Sequence, residues 1–202
     1  MLEKICFRYL RLRAIVAVHL ALVAALGLVL APRHAAAGTY LDFATSVTAK
    51  PPAGSMFRPD LEAELLRLAN GYRSQKGKKP LKAGDFFVTA ARAHAADMML
   101  HNFMGHRAST GHEFSSRMAV FAGDVTRFPS LGENAARDTK KTPVDAAKAR
   151  ALFQQWVDSS SHRKQLVSRN YQFVSTGVIQ RGTSIWAVQI FYATPREKGL
   201  FQ

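Results

Sequence analysis

Apolar residues recur at helical spacing in three stretches of this chain and at alternating spacing in one. Leu61, Leu65, Leu68 and Tyr72 form a single stripe, which predicts a helix from Leu61 to Ser74. Asp60 is its expected N-cap, Glu62 and Glu64 suit the positive end of the helix dipole, and Gly77 and Pro80 stop it. A second helix is predicted over Phe86–Asn102, with Phe87, Ala91, His94 and Met98 on one face. A third runs from Pro143 to Asp158, capped by Thr142, with Ala146, Ala149, Phe153 and Trp156 inward. Beyond it the period drops to two. Phe173–Gln180 and Ser184–Tyr192 read as strands flanking a short turn, Arg181-Gly182-Thr183. Trp186, Val188, Ile190 and Tyr192 alternate onto one face of the second strand. Helices first and a hairpin last predict an α+β fold with helices covering a small sheet.

Three tracts fall outside this pattern. Residues 38–58 are rich in Thr, Ser, Ala, Pro and Gly and are expected as a flexible lead-in to a domain over 59–195, with 196–202 as a tail. Residues 103–142 lack a clear period and hold His106, His112 and Glu133, and long irregular tracts of this kind are usually functional or mobile. The N-terminus has a basic head (Lys4, Arg8, Arg11, Arg13), an apolar run from Ala14 to Leu30 broken only by His19, and the small residues Ala35, Ala36 and Ala37. That order matches a secretory signal peptide, 1–37, cut after Ala37. The alternative is an uncleaved N-terminal membrane anchor, for which the run is at the short limit.

Export changes the charge balance. The 202 residues carry 28 Lys+Arg and 14 Asp+Glu, a formal +14. Loss of residues 1–37 removes five bases and Glu3, leaving +10, and it removes Cys6, the single cysteine. A disulfide framework or Cys-rich metal module is thereby excluded. Two basic groups remain: Arg67, Arg73, Lys76, Lys78, Lys79 and Lys82, then Lys140, Lys141, Lys148, Arg150, Arg163, Lys164 and Arg169. They suit an anionic partner. For an exported chain with no nucleic-acid module, the expected partner is anionic envelope material or a lipid, and nucleic acid is not expected. Phe114, Met118, Val120, Phe121 and Phe128 are candidates either for core packing or for an apolar lipid groove.

Candidate chemistry is sparse. No HExxH, GxSxG elbow, phosphate loop or cysteine nucleophile occurs after residue 37. His94 reads as a buried, hydrogen-bonded core residue, His101 as a helix-end residue and His112 as part of a solvated loop. His106, in Phe103-Met104-Gly105-His106, and His162, just past a helix end, have more suggestive settings.

Six short segments, in order, resemble the CAP superfamily of cysteine-rich secretory proteins, antigen 5 and pathogenesis-related proteins, in its secreted bacterial branch. They are Leu65–Arg73, ARAHAADM at 91–98, FMGH at 103–106, GEN at 132–134, WVDSSSHR at 156–163, and TGV followed by WAVQIF at 186–191. The resemblance spans about 60–192. It implies a three-layer α–β–α sandwich with a small, mostly antiparallel sheet and a C-terminal hairpin. It also implies a central cleft where two His and two Glu converge and can hold a divalent metal. His106, Glu133 and His162 take three of those places, with zinc or a similar ion as the expected cofactor. The fourth falls on Ser159, with Asp158 one step away, and Ser161 replaces a usual Gly. Three functions follow: an exported, non-catalytic binder of a lipid or anionic envelope ligand, a metal-dependent hydrolase using the cleft, or an envelope scaffold.

Overall fold

The computed structural model describes residues 34–195. Most of the expected signal peptide, and the tail over 196–202, lie outside the described residues. No helix among the described residues is long and apolar enough to cross a membrane.

Five strands form one sheet: β1 (Ser55–Phe57), β2 (Lys82–Ala83), β3 (Leu131–Asp138), β4 (Phe173–Arg181) and β5 (Ser184–Tyr192). The order is β1-β4-β5-β3, with β2 on the same edge of β4 as β1 and parallel to it; all other pairings are antiparallel. The helices are α1 (His34–Ala49), α2 (Pro59–Gln75), α3 (Val88–His101), α4 (Phe114–Ala122), α5 (Ala146–Asp158) and α6 (Ser160–Val167), plus a single 3-10 turn at Val125–Arg127.

The alternation along β5 splits its side chains between two cores. Trp186, Val188, Ile190 and Tyr192 face a core built with α1, α3 and α4. Ile185, Ala187 and Phe191 face a second core built with α2, α5 and α6. The result is the expected α–β–α sandwich with both sheet faces covered. Gly177 on β4 sets how closely one layer approaches. A Cβ there would collide with the backbone of Ala91 and Arg92 on α3, so the alanine-rich face of α3 lies directly on the strand.

The element boundaries depart from expectation where local chemistry decides them. Pro59 opens α2 in its first turn, so Asp60 lies inside the helix and pairs with the Arg58 guanidinium at 2.8 Å instead of capping. Asp145, not Thr142, caps α5, accepting from the Ala147 and Lys148 amides. Thr142 is drawn away by the buried Lys148 ammonium, which donates to its hydroxyl, to the Lys140 carbonyl and to Asp138. Lys148 is therefore an internal cation and does not belong to the external basic group.

The flexible lead-in expected over 38–58 is folded. Tyr40, Ala44 and Val47 recur at helical spacing on α1 and are buried, and Ser55–Phe57 pairs with β4 as an edge strand. The expected cut after Ala37 falls within α1. The expected irregular tract over 103–142 contains α4, the 3-10 turn and β3. Met118 and Phe128 are buried core residues, with Phe114 and Phe121 packed against them and Val120 partly buried. These side chains pack the core and do not line an open lipid groove.

Candidate functional site

β3 carries Glu133 across the end of α4 and beside the chain leaving α3. The preceding Gly132 leaves room for Tyr171 and Gln165, whose polar tips a Cβ there would strike. The following Asn134 donates from Nδ2 to the His162 carbonyl at 3.2 Å and ties β3 to α6.

Glu133 is buried, with a side-chain exposure of 2%, and the Arg117 side chain on α4 is fully buried beside it. The Nη2 group of Arg117 donates to both carboxylate oxygens, at 2.9 Å and 2.8 Å. The same Nη2 donates to the His106 carbonyl at 2.9 Å. His106 in turn donates from Nδ1 to Glu133 Oε1 at 2.8 Å. The His106 and His162 rings lie 6.1 Å apart, centre to centre, at 65°. All three residues singled out from the sequence therefore come together.

Two groups around them went unnoticed in the sequence. Arg117 is the first. Tyr40 on α1 is the second, packed at 5.4 Å from the His112 ring, with its phenol feeling the Arg117 charge. His94 is buried and hydrogen-bonded as expected: its Nε2 donates to the Gly105 carbonyl at 2.8 Å and lies 4.0 Å from Glu133 Oε1. A charge at position 117 inside an otherwise apolar helical turn was the available signal for the first.

The electrostatics follow from burial and pairing. Burial pushes the Glu133 carboxyl up, but Arg117, the His106 hydrogen bond and His94 together hold it below the ordinary value. The Glu133 hydrogen bond raises the His106 imidazole above 6.5. His162 moves the other way, lowered by burial and by the neighbouring His106. Burial and Arg117 lower His94. Burial raises the Tyr40 phenol to about 12.

The acidic half of the donor set implied by the resemblance is incomplete here. A carboxylate that ligates a divalent ion must offer it a free lone pair. Here the Arg117 guanidinium already stands as the cation against both Glu133 oxygens. No second carboxylate joins: Ser159 Oγ meets Ser161 Oγ, and Asp158 accepts from Gln154. Among the described residues no group of three His, Cys, Asp or Glu side chains is placed to hold a metal ion.

The sequence from residue 66 to 191 matches the cysteine-rich secretory protein (CAP) family. The chain belongs to the CAP family. It is similar to an uncharacterised Bacillus subtilis protein, YkwD, at 30% identity over 128 residues, which is 63% of this chain and 46% of that protein. The chain thus spans about half the length of that relative. Among solved structures it resembles an extracellular SCP-domain protein of Bacillus anthracis, at 21% identity and a TM-score of 0.55 over 67% of this chain and 41% of that one. It also resembles an outer surface protein of Borrelia burgdorferi, at 14% identity and a TM-score of 0.56 over 68% of this chain and 96% of that one. Both likenesses are of fold.

Proposed function

We propose that this CAP-domain protein is exported and binds an anionic component of the cell envelope without turning it over. Export rests on the basic head, apolar run and Ala-x-Ala of the N-terminus, and on the extracellular and outer-surface character of the two structural neighbours. The observation that carries the lack of turnover is the Arg117–Glu133 pair. A carboxylate that serves as general base or metal ligand needs a free lone pair aimed at the reacting centre. Glu133 accepts three hydrogen bonds from inside the protein, two from Arg117 and one from His106, and acts as an internal anchor for the cleft. The groups left facing outward are imidazoles, a half-exposed His106 held toward its cationic form and a neutral His162. Such a pair donates hydrogen bonds to an anionic ligand.

Sedimentation with phosphatidylglycerol vesicles tests this reading, with released fatty acid measured in the same tubes. Binding at low salt that fades as salt rises, with no fatty acid released, is the expected result. Absence of binding at low salt removes the envelope reading. Fatty acid release that disappears in His162→Ala replaces it with the hydrolase.

A further inference from the structure

Four cations of the first basic group and Arg169 of the second line a cavity that contains none of His106, Glu133 and His162. It has a volume of about 790 Å³ and opens between the end of α2 and the start of β4. That is the size of an ordinary small-ligand site. Arg73, Lys78, Lys79, Lys82 and Arg169 line it, and among the described residues its lining includes no Asp or Glu.

Surface lysines alone do not make a binding site, but Arg73 is different in kind. It is 2% exposed, and yet among the described residues no carboxylate pairs with it. Its Nε donates to the Lys79 carbonyl at 2.8 Å, and its Nη1 donates to the carbonyls of Leu166 and Ser168 at 2.8 Å and 2.9 Å. One buried cation thus fastens both walls of the cavity. Its Nη2 has no hydrogen-bond partner among the described residues. Burial lowers the Arg73 pKa, as expected for a charge held without a counter-ion. An anion entering the cavity would supply that counter-ion and meet four more cations. Tyr171 and Phe173 complete the lining, with the Lys82 ammonium 6.0 Å from the Phe173 ring centre.

We infer that this cavity binds a small polyanion whose phosphate or carboxylate groups meet Arg73 and the surrounding lysines while its body rests on Tyr171 and Phe173. The inference rests on the reading of the protein as a binder of anionic envelope material, and it names the place and the ligand chemistry.

Calorimetric titration of the purified protein with inorganic tripolyphosphate tests it. Lys79→Gln/Arg169→Gln removes two charges from the cavity and leaves Arg73 to hold the fold. Lys140→Gln/Lys141→Gln removes two charges elsewhere. Saturable binding of one equivalent is expected in the wild type and the second variant, weakened at least about tenfold in the first. Equal weakening in both variants, or no saturable binding to the wild type, overturns the site. Phosphatidylglycerol vesicles form the second arm and separate a lipid headgroup from a free phosphate compound. Vesicle binding lost in Lys79→Gln/Arg169→Gln supports a headgroup in the cavity. Vesicle binding unchanged in that variant, with no tripolyphosphate bound, overturns the cavity and leaves the wider envelope reading standing. Tripolyphosphate bound in the cavity without vesicle binding supports the site for a free phosphate compound and removes the lipid version.

Discussion

The Nη2 of Arg117 bridges both carboxylate oxygens of Glu133, at 2.9 Å and 2.8 Å, with both side chains buried. That contact joins α4 to β3 and decides what the cleft can do. It makes Glu133 one half of a buried ion pair.

Buried pairs of this kind are costly to break and cheap to replace whole. Arg117→Met leaves the Glu133 charge buried with His106 as its remaining donor, and is expected to destabilise the fold by about 3–5 kcal/mol. Arg117→Met/Glu133→Leu removes both charges and is expected to recover most of that loss. Denaturant unfolding of the wild type and both variants measures it. A double variant as unstable as the single one contradicts the pairing.

The histidines should titrate in opposite directions. NMR titration is expected to place His106 above 6.5 and His162 below it. Glu133→Gln should bring His106 back toward or below the ordinary value. The linkage signs differ for the two partners. His106 is raised in the fold, so its stabilisation is complete below 6.5 and is lost as pH rises through its folded value. Glu133 is lowered, so its stabilisation is complete above 4.5 and is lost as pH falls through its folded value. Both contributions are therefore present together between about 4.5 and 6.5, and stability should fall on either side. An unfolding free energy that climbs steadily from pH 6 to 8, with His106 titrating at or below 6.5, contradicts this arrangement.

Tyr40 makes α1 part of the domain. Its ring is fully buried and meets His112 and Phe121. Tyr40→Ala is expected to cost about 3–5 kcal/mol, as for other large buried aromatic truncations. Tyr40→Phe keeps the ring, and because the hydroxyl has no geometrically complete hydrogen bond, its cost should stay below about 1.5 kcal/mol. Thermal unfolding of the two variants separates a packed helix from a dispensable lead-in. A Tyr40→Ala variant as stable as the wild type contradicts the packing.

The sequence revealed elements with strong periods and missed those held by contacts. The stripe Leu61-Leu65-Leu68-Tyr72 and the alternation Trp186-Val188-Ile190-Tyr192 are visible because burial on one face repeats at a fixed interval. β3 was hidden because Leu131–Asp138 has no β-branched residue. Its strand state comes from eight residues paired along β5. α1 was hidden because its buried stripe, among the described side chains, is Tyr40, Ala44 and Val47, within a tract of small and polar residues. In the site, the short CAP-like segments located His106, Glu133 and His162. Arg117 could not be paired with Glu133 by spacing, since sixteen residues and a turn of irregular chain separate them. The loss of the expected acid at Ser159 was legible; the buried cation beside Glu133 was not.

The most direct test of the locked cleft is calorimetric titration with Zn²⁺ of the wild type and His162→Ala. The Arg117–Glu133 pair predicts no stoichiometric binding at the cleft, and any weak heat the same in both proteins. Stoichiometric binding to the wild type that disappears in His162→Ala would contradict it.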